Sequence, residues 1–331
     1  MFRRLGVYLT GDLTLPDAIR LAQYAELRGF EAVWQAEQVL GRDSLVTLGA
    51  FAAVTTRIKL GCAVADPWTR NPAILATALM TLDDLAPDRV LCGLGGWSEG
   101  AARQVGVDRR KPLLALREVT QAVRALLTGD WVTRNGEFVQ LLNARLDMHP
   151  QRREPRHVPF YFGVTAAASM ALAGEVADGV LMNYLVTPAY TRTALEELRR
   201  GVQMSGRSLD SIDRPQLVAC AVSKDRDMAL DTARRFVAGA LQAQPALMRA
   251  NNVTQELLDE FTRVEAESGF ETAYRLVSDD VVQSVAAAGS PLEVRAKVGD
   301  YLDAGATYPV LYPLCDDVRF MMDVFTDPFL A

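Results

Sequence analysis

The sequence has only two histidines among its 331 residues, His149 and His157. Neither belongs to an HExxH motif, so the sequence gives no support for a zinc site of the common hydrolase type. The GxSxG motif is absent as well, which disfavours the nucleophile elbow of an α/β-hydrolase. The search for function therefore turns away from metal chemistry and from serine hydrolysis.

Cysteine is also rare, and no CxxC pair occurs. The four cysteines are far apart in or beside apolar stretches, which is typical of buried free thiols in a reducing cytoplasm: Cys62, Cys92, Cys220 and Cys315. The N-terminal stretch MFRRLGVYLTGD lacks an apolar segment long enough for a signal peptide. No run approaches the roughly 18 apolar residues of a membrane span. We therefore predict a cytoplasmic protein.

Positive charge is not concentrated anywhere in the chain. The formal net charge is −6, the pI is near 5.2, and no dense run of lysine and arginine occurs. These features disfavour a nucleic-acid-binding protein. Half of the residues are hydrophobic and 23% are charged, as in ordinary globular proteins. The length suits two domains or one large α/β barrel.

Short apolar runs alternate with helical patterns along the chain. The predicted strands are residues 5–9, 31–35, 58–64, 89–95, 159–164, 178–183, 216–223 and 307–313. The predicted helices are residues 16–28, 44–55, 72–85, 112–127, 166–174, 187–204, 291–304 and one from residue 225. A hairpin is predicted at 129–141 with Asn135-Gly136 at its turn. Short connections between strands and helices indicate right-handed parallel crossovers.

Eight strand–helix units predict an α/β fold, a (β/α)8 TIM barrel, with a doubly wound sheet as the alternative. The barrel would be a single domain over residues 1–331, with insertions after strands four and seven. The first insertion is an excursion at about 96–157, polar up to residue 111, and the second is a helical segment at about 242–288. TIM barrels carry their chemistry on the loops after the strands. The candidate site residues are therefore sought there.

The loop after the third strand, in GCAVADPWTRNPA (61–73), combines prolines with a bulky aromatic and a cation. Pro72 suits the first position of the next helix. Trp68 and Arg70 suit a planar or anionic ligand, although a loop packed by its own side chains has the same composition. The sequence leaves both interpretations open.

Two further loops offer backbone amides to a ligand. GLGGWSEG (93–100) is rich in glycine but fits neither GxGxxG nor a Walker A motif, and a plain tight turn is an equal alternative. GVTAAASM (163–170) leads into a helix, for which Thr165 is the predicted N-cap. The first-turn amides of Ala166, Ala167 and Ala168 would form an anion site. An ordinary capped helix is the favoured interpretation of that feature taken alone.

Two side chains on the first strands are candidate acid–base groups. Glu37 ends the second strand, where a carboxylate binds a ring N–H, exchanges protons or caps the following loop. Tyr8 on the first strand is ambiguous, since its side chain faces either inward or outward.

Together these segments resemble the bacterial luciferase-like superfamily, in the branch of coenzyme F420-dependent reductases that includes methylenetetrahydromethanopterin reductase. The matching stretches are GFEAVWQAEQ (29–38), residues 55–95, TGDWVTRNGEFVQL (128–141), residues 158–183 and residues 288–313. They cover most of the chain. The most specific are residues 55–95 and AGEVADGVLMN (173–183).

The resemblance implies a TIM barrel with a deazaflavin, or alternatively FMN, across the carboxyl-terminal mouth. It also implies a non-prolyl cis peptide at Ala63–Val64 that supports the back face of the ring. The family's acidic ring contact falls on Glu37. The remaining implied cofactor contacts are Asp66, Arg70, Gly95, Gly96, Ser98, Gly163, Thr165, Ala166 and Ala168. Arg70, with Arg103, Arg109 and Arg110, is a candidate for the acidic tail of the coenzyme, and a solvated cluster is the favoured interpretation of Arg109 and Arg110.

Several positions depart from the family's pattern. Gln38 follows Glu37 where members acting on sugar phosphates have a histidine nearby, so that substrate class is disfavoured. Tyr8 stands where the methylene-pterin reductases have a catalytic glutamate, so their reaction is not assigned. Trp97 replaces a small residue and either narrows the pocket or stacks on a substrate. Ala166-Ala167 replaces a Gly-Pro pair at the phosphate site.

The sequence thus predicts an F420-dependent oxidoreductase that transfers hydride between C5 of the deazaflavin and a small organic substrate. Glu37 and Tyr8 are the predicted catalytic residues, and a homodimer is expected from the resemblance. An FMN-dependent monooxygenase and a non-catalytic flavin- or deazaflavin-binding protein are the alternatives.

Overall fold

Strands and helices alternate along most of the chain. The computed structural model describes residues 2–327. Its strands are β1 Gly6–Leu9, β2 Ala32–Ala36, β3 Lys59–Ala65, β4 Val90–Leu94, β5 Val132–Asn135, β6 Gln140–Ala144, β7 Phe160–Phe162, β8 Gly179–Val180, β9 Pro215–Val222, β10 Ala287–Gly289 and β11 Tyr308–Pro313. All eight predicted strands are present, together with the predicted hairpin β5–β6.

Several helices begin where the sequence supplies a capping side chain. The helices are α1 Leu15–Leu27, α2 Ser44–Val54, α3 Pro72–Leu85, α4 Glu99–Gln104, α5 Pro112–Leu127, α6 Ala167–Val176, α7 Pro188–Met204, α8 Arg226–Ala243, α9 Pro245–Ala250, α10 Gln255–Ser268, α11 Phe270–Ala273, α12 Asp279–Val285, α13 Pro291–Asp303 and α14 Val318–Thr326. Asn71 caps α3 by accepting a hydrogen bond from the Ala73 amide, with Pro72 as the first helical residue. That combination explains why the predicted boundary at Pro72 is confirmed.

The chain divides into two compact units. We call residues 9–181 with 196–214 the N-terminal unit, and residues 2–8, 182–195 and 215–327 the C-terminal unit. The prediction of a single domain over 1–331 remains a prediction.

The N-terminal unit contains five parallel strands in the order β2-β3-β4-β7-β8. Each strand pairs with the next parallel strand along the chain. A doubly wound sheet instead reverses its strand order at a switch point, so this order favours the barrel topology. The hairpin β5–β6 pairs antiparallel apart from these strands.

In the C-terminal unit the strand order is β10-β9-β11-β1, and the pairs β10–β9, β9–β11 and β11–β1 are parallel. Helix α8 packs with α9, α10 and α12 around an apolar cluster that includes Leu230, Val237 and Phe261. This cluster gives the unit its own core. Among the described residues, no helix is both long and apolar enough to span a bilayer.

The structure corrects three local predictions. The polar excursion after β4 contains the short helix α4, and the helical insertion ends in the strand β10. The hairpin turn covers residues 136–139, because Asn135 still pairs with Gln140 and the Gly136 amide bonds to the Val139 carbonyl. Asn135-Gly136 is therefore not a two-residue turn. The sequence missed α4 and β10 because both are too short for a periodic apolar pattern.

Candidate functional site

The third strand of the N-terminal unit ends in a bulge. Cys62 of β3 pairs with Cys92 of β4, but the next pair is Ala65 with Leu94, so the register shifts between them. The Ala63–Val64 peptide bond in this bulge is cis, as the resemblance implied. The Ala63 carbonyl accepts a hydrogen bond from the Glu37 amide at 3.2 Å. The Ala65 carbonyl accepts one from the Gly95 amide at 3.0 Å. Backbone bonds on both sides thus hold the bulge in place.

Three glycines seat the Val64 side chain. A Cβ atom on Gly95 would lie 2.6 Å from Val64 Cγ2 and 2.7 Å from the Gly163 carbonyl oxygen. On Gly163 it would lie 2.7 Å from Val64 Cγ1, and on Gly93 2.2 Å from the Cys62 carbonyl oxygen. None of the three glycines has a positive φ. They are therefore required for close approach, and the glycine-rich stretch after β4 makes room for the bulge of β3.

Glu37 and Arg70 form an ion pair beside this bulge. Arg70 Nη2 lies 2.7 Å from Glu37 Oε1 and 2.7 Å from Asp43 Oδ2. The other oxygen of Glu37 accepts the Ser44 amide at 2.7 Å, and the Glu37 side chain is only 9% exposed. Both oxygens of Glu37 thus act as acceptors in the structure. The sequence analysis did not include Asp43. Its position directly before α2, as the N-cap, is the signal that could have identified it.

Charge pairing shifts the ionisation of two members of this cluster. Burial alone would lower the pKa of Arg70, but its hydrogen bonds to Asp43 and Glu37 outweigh burial and raise that pKa. Burial alone would raise the pKa of Asp43, but hydrogen bonds from the Val46 amide and Arg70 lower it. Arg70 therefore braces two carboxylates rather than standing free for a ligand.

Asp66 and Trp68 fix the loop after β3. Asp66 is fully buried, and its Oδ1 accepts the amides of Trp68 and Thr69 at 2.8 and 3.0 Å. The Trp68 indole donates to the Arg110 carbonyl at 3.2 Å, and the Arg109 guanidinium lies over its ring at 5.6 Å. Asp66 Oδ2 is buried without a hydrogen-bond partner. The composition of this loop is thus largely explained by its own packing.

The candidate cations for an acidic tail are not one free cluster. Arg70 and Arg110 line a common cavity of about 500 Å³. Arg110 pairs with Asp108 at 2.8 Å, whereas Arg103 and Arg109 lie 3.8 and 3.5 Å from Glu99. Each of these arginines therefore has a carboxylate neighbour.

The loop after β4 leaves Gly96 and Ser98 exposed. Ser98 caps α4, with its hydroxyl accepting the Ala101 amide at 3.2 Å. Trp97 Nε1 is buried without a partner. Gly96 packs near Trp68 and Arg109, since a Cβ there would approach both within about 3.3 Å.

The helix after β7 starts without a side-chain cap, which corrects one prediction. Ala166, not Thr165, is the N-cap of α6, and it has no side-chain oxygen to accept the first-turn amides. Thr165, Ala166, Ala167 and Ala168 are all exposed. Because an alanine cap cannot bond those amides, the start of α6 suits an anion.

Tyr8 lies in the C-terminal unit. Its ring centroid is 5.0 Å from that of Tyr312, and the Tyr312 ring in turn contacts Tyr184 at 5.1 Å. Burial raises the pKa of Tyr8, and the neighbouring Tyr184 and Tyr312 add to the rise. The Tyr8 phenol is therefore protonated at neutral pH.

The N-terminal unit thus fits a flat cofactor with an anionic group. The Val64 bulge offers an apolar, half-buried support, and the glycine seat behind it carries no side chains. The first-turn amides of α6 suit a phosphate. Within residues 2–327, no group of three or more histidine, cysteine, aspartate or glutamate side chains is arranged to hold a metal ion.

Comparison with known proteins agrees with this arrangement. The family model described as luciferase-like monooxygenase matches residues 2–308. The chain is 28% identical to 5,10-methylenetetrahydromethanopterin reductase of Methanopyrus kandleri, over 92% of this chain and 91% of the relative. It is 31% identical to the F420-dependent glucose-6-phosphate dehydrogenase of Nakamurella multipartita, over 91% and 88%.

Similarity extends to a solved structure. The coenzyme F420-dependent tetrahydromethanopterin reductase from Methanopyrus kandleri superposes with a TM-score of 0.88 at 26% identity, covering 99% of both chains. The predicted α/β fold class, with the TIM-barrel-like architecture of that reductase, is confirmed.

Proposed function

Because the chain belongs to the luciferase-like monooxygenase family, we propose that it is an F420-dependent oxidoreductase that transfers hydride between a deazaflavin and a small organic substrate. The observation that carries the proposal is the β3 bulge that presents Val64, packed on its seat of three glycines. Relatives named as F420-dependent enzymes support the choice of cofactor.

The residues of the N-terminal unit hold and orient the cofactor. Val64 supports one face of the ring, which leaves the other face for the substrate. The first-turn amides of Ala167 and Ala168 hold the phosphate at the positive end of the α6 dipole. When bound, the deazaflavin supplies or accepts the hydride at C5, so the protein contributes position and electrostatics.

Glu37 acts as a hydrogen-bond acceptor for the ring rather than as the proton donor. Its two oxygens already accept from Arg70 and Ser44, and Arg70 keeps the carboxylate in place. Tyr8 is the proton donor, since its half-buried phenol carries a proton at neutral pH. We expect Tyr8→Phe to slow hydride transfer with little change in cofactor affinity, and Glu37→Gln to weaken cofactor binding.

Titration of the apo-protein with F420 and with FMN tests the proposal. We expect F420 to bind with micromolar or tighter affinity, followed by fluorescence quenching, and reduced F420 to be reoxidised by an organic acceptor. Binding of FMN without F420 would instead support an oxygen-activating monooxygenase, the activity in the family's description. Tight F420 binding without turnover on any acceptor would support a non-catalytic binding protein.

The proposal includes a cytoplasmic homodimer. Four free cysteines, three of them buried, suit a reducing compartment. Light scattering on the purified protein tests the oligomeric state, and a monomer at all concentrations would contradict it.

A further inference from the structure

Four aromatic side chains of the C-terminal unit meet around Tyr312, near the end of β11, with Phe236 contributed by α8 and Tyr184 by a loop. We call Tyr8, Tyr184, Phe236 and Tyr312 the aromatic cluster. Tyr312 is central, with ring centroids 5.0 Å from Tyr8, 5.1 Å from Tyr184 and 5.4 Å from Phe236. All four residues are only half-buried. A partly open aromatic surface of this kind differs from a closed core and suits a ligand ring.

A cavity of about 510 Å³ is lined by residues of α8 and of the segments that follow β9 and β11. Met228 and Thr232 of α8 line it, and Phe236 follows at the same four-residue spacing, on the same helix face. Leu314 also lines it and lies two residues after Tyr312. The Leu314 amide bonds to the Cys220 carbonyl at 2.8 Å, so the chain stays alongside β9 and both side chains point to one side. The four aromatic side chains do not line the cavity themselves, but Phe236 and Tyr312 lie one helical turn and two strand residues from residues that do.

The charge of the cavity lining disfavours an anion. Lys224 is the one cation among its lining residues, against the two carboxylates of Asp316 and Asp317, and no arginine lines it. A phosphate would meet net negative charge there. The volume lies within the range of small-molecule sites.

We infer that the aromatic cluster and this cavity form a cleft for an uncharged substrate with a planar ring, and that it rejects sugar phosphates. The inference deepens the proposed function and rests on it. It assigns the C-terminal unit a substrate class. Apolar ring stacking supplies the affinity, and charge repulsion supplies the selectivity.

A matched pair of probes tests this inference. 1-Naphthol and 1-naphthyl phosphate share one ring and differ in charge, and glucose 6-phosphate serves as the third probe. We expect fluorescence titration to give at least tenfold tighter binding of 1-naphthol. Tyr312→Leu should weaken 1-naphthol binding severalfold, up to about tenfold, since it removes the central aromatic contact of the cluster. Phe270→Leu is the control, because Phe270 packs on Phe261 and Tyr274, neither of which lines the cavity.

Thiol labelling gives a second measurement on the wild-type chain. Cys315 lines the cavity and is half-buried, whereas Cys62, Cys92 and Cys220 are fully buried. We expect N-ethylmaleimide to add once to the native protein, and 1-naphthol to slow that addition severalfold. Cys315→Ser should abolish the adduct.

Equal affinities for the two naphthyl probes, or an unprotected Cys315, would overturn the inference. If Tyr312→Leu fails to fold, Phe236→Leu takes its place, and unchanged binding in a folded variant also counts against the cleft. Parallel F420 titration separates the two proposals. F420 binding without 1-naphthol binding refutes the cleft alone, and 1-naphthol binding without F420 binding refutes the proposed function.

Discussion

The seat of Val64 makes a quantitative prediction about a single methyl group. Gly95→Ala would place a Cβ atom 2.6 Å from Val64 Cγ2 and 2.7 Å from the Gly163 carbonyl oxygen. Valine has few alternative rotamers, and the carbonyl belongs to a neighbouring strand end, so neither gives way easily. Overpacking of this kind costs about 1–3 kcal/mol. We expect that loss in the free energy of unfolding and at least a tenfold loss of F420 affinity, because the bulge must move.

Gly100→Ala is the matched control. Gly100 lies in α4, five residues further along the chain, and a Cβ there meets nothing within 4 Å. In a helix this substitution stabilises by about 0.5–1 kcal/mol. Urea unfolding of the apo-proteins and F420 titration measure both effects. If Gly95→Ala retains wild-type stability and affinity, the glycine seat does not hold the ring support, and the observation that carries the proposed function is lost.

Three further predictions concern other contacts. Arg70→Gln should lower the free energy of unfolding by about 2 kcal/mol, because it leaves Glu37 without its charged donor. In a double-mutant cycle with Glu37→Gln, the double variant should lose less stability than the sum of the two single losses. Additive losses would contradict the ion pair. Gly61→Ala should lower the free energy of unfolding by close to the upper end of about 1–3 kcal/mol, since its Cβ would lie 2.2 Å from Trp34 Cε3. Gly49→Ala is the control, because a Cβ there meets no atom within 4 Å and should not destabilise the protein. Hydrogen bonds from Ser290 and then Arg226 lower the pKa of Glu293 to about 2. The contribution of this carboxylate to folding stability is therefore present above pH 4.5 and is lost as the pH falls towards 2. The stability difference between wild type and Glu293→Gln should therefore shrink over that range, and a constant difference would argue against the capping box.

Much of the fold could be predicted because its signals are local. Asn71-Pro72 starts α3 and Ser290-Pro291 starts α13, each by a cap and a proline whose effect needs no distant partner. The cis bond at Ala63–Val64 came from resemblance and is present. By contrast, Thr165 was the predicted cap of α6, yet the helix starts one residue later at an uncapped alanine. Local propensity does not decide this helix boundary. The end of the preceding strand β7 is set by hydrogen bonds to neighbouring strands, such as that from the Gly163 amide to the Leu94 carbonyl.

The roles of individual site residues were harder to predict, because they depend on contacts between segments distant in sequence. Gly93 and Gly95 suggested amides facing a ligand, but Gly93 is required by its distance to Cys62, 31 residues earlier. Arg70 suggested an anion contact, but its partners are Glu37 and Asp43, again about 30 residues away. A sequence motif gives residue types and not which of them touch. A cation in a catalytic-side loop is therefore ambiguous until its carboxylate partners are located.

The side-chain contacts of the loop after β3 also change the interpretation of its function. Trp68 closes the loop on the Arg110 backbone, and Arg70 braces the acidic residues at the end of β2 and the start of α2. The conspicuous side chains thus stabilise the loop and its neighbours, and the least conspicuous one, Val64, is the ring support that we propose. This division follows from the chemistry proposed here, because a cofactor that carries the hydride needs a flat support and open amides more than reactive side chains. It also explains why searches for histidine, serine or metal motifs find nothing in this chain: the amino acids that build such a site are glycine, alanine and valine, and their function lies in where the backbone places them.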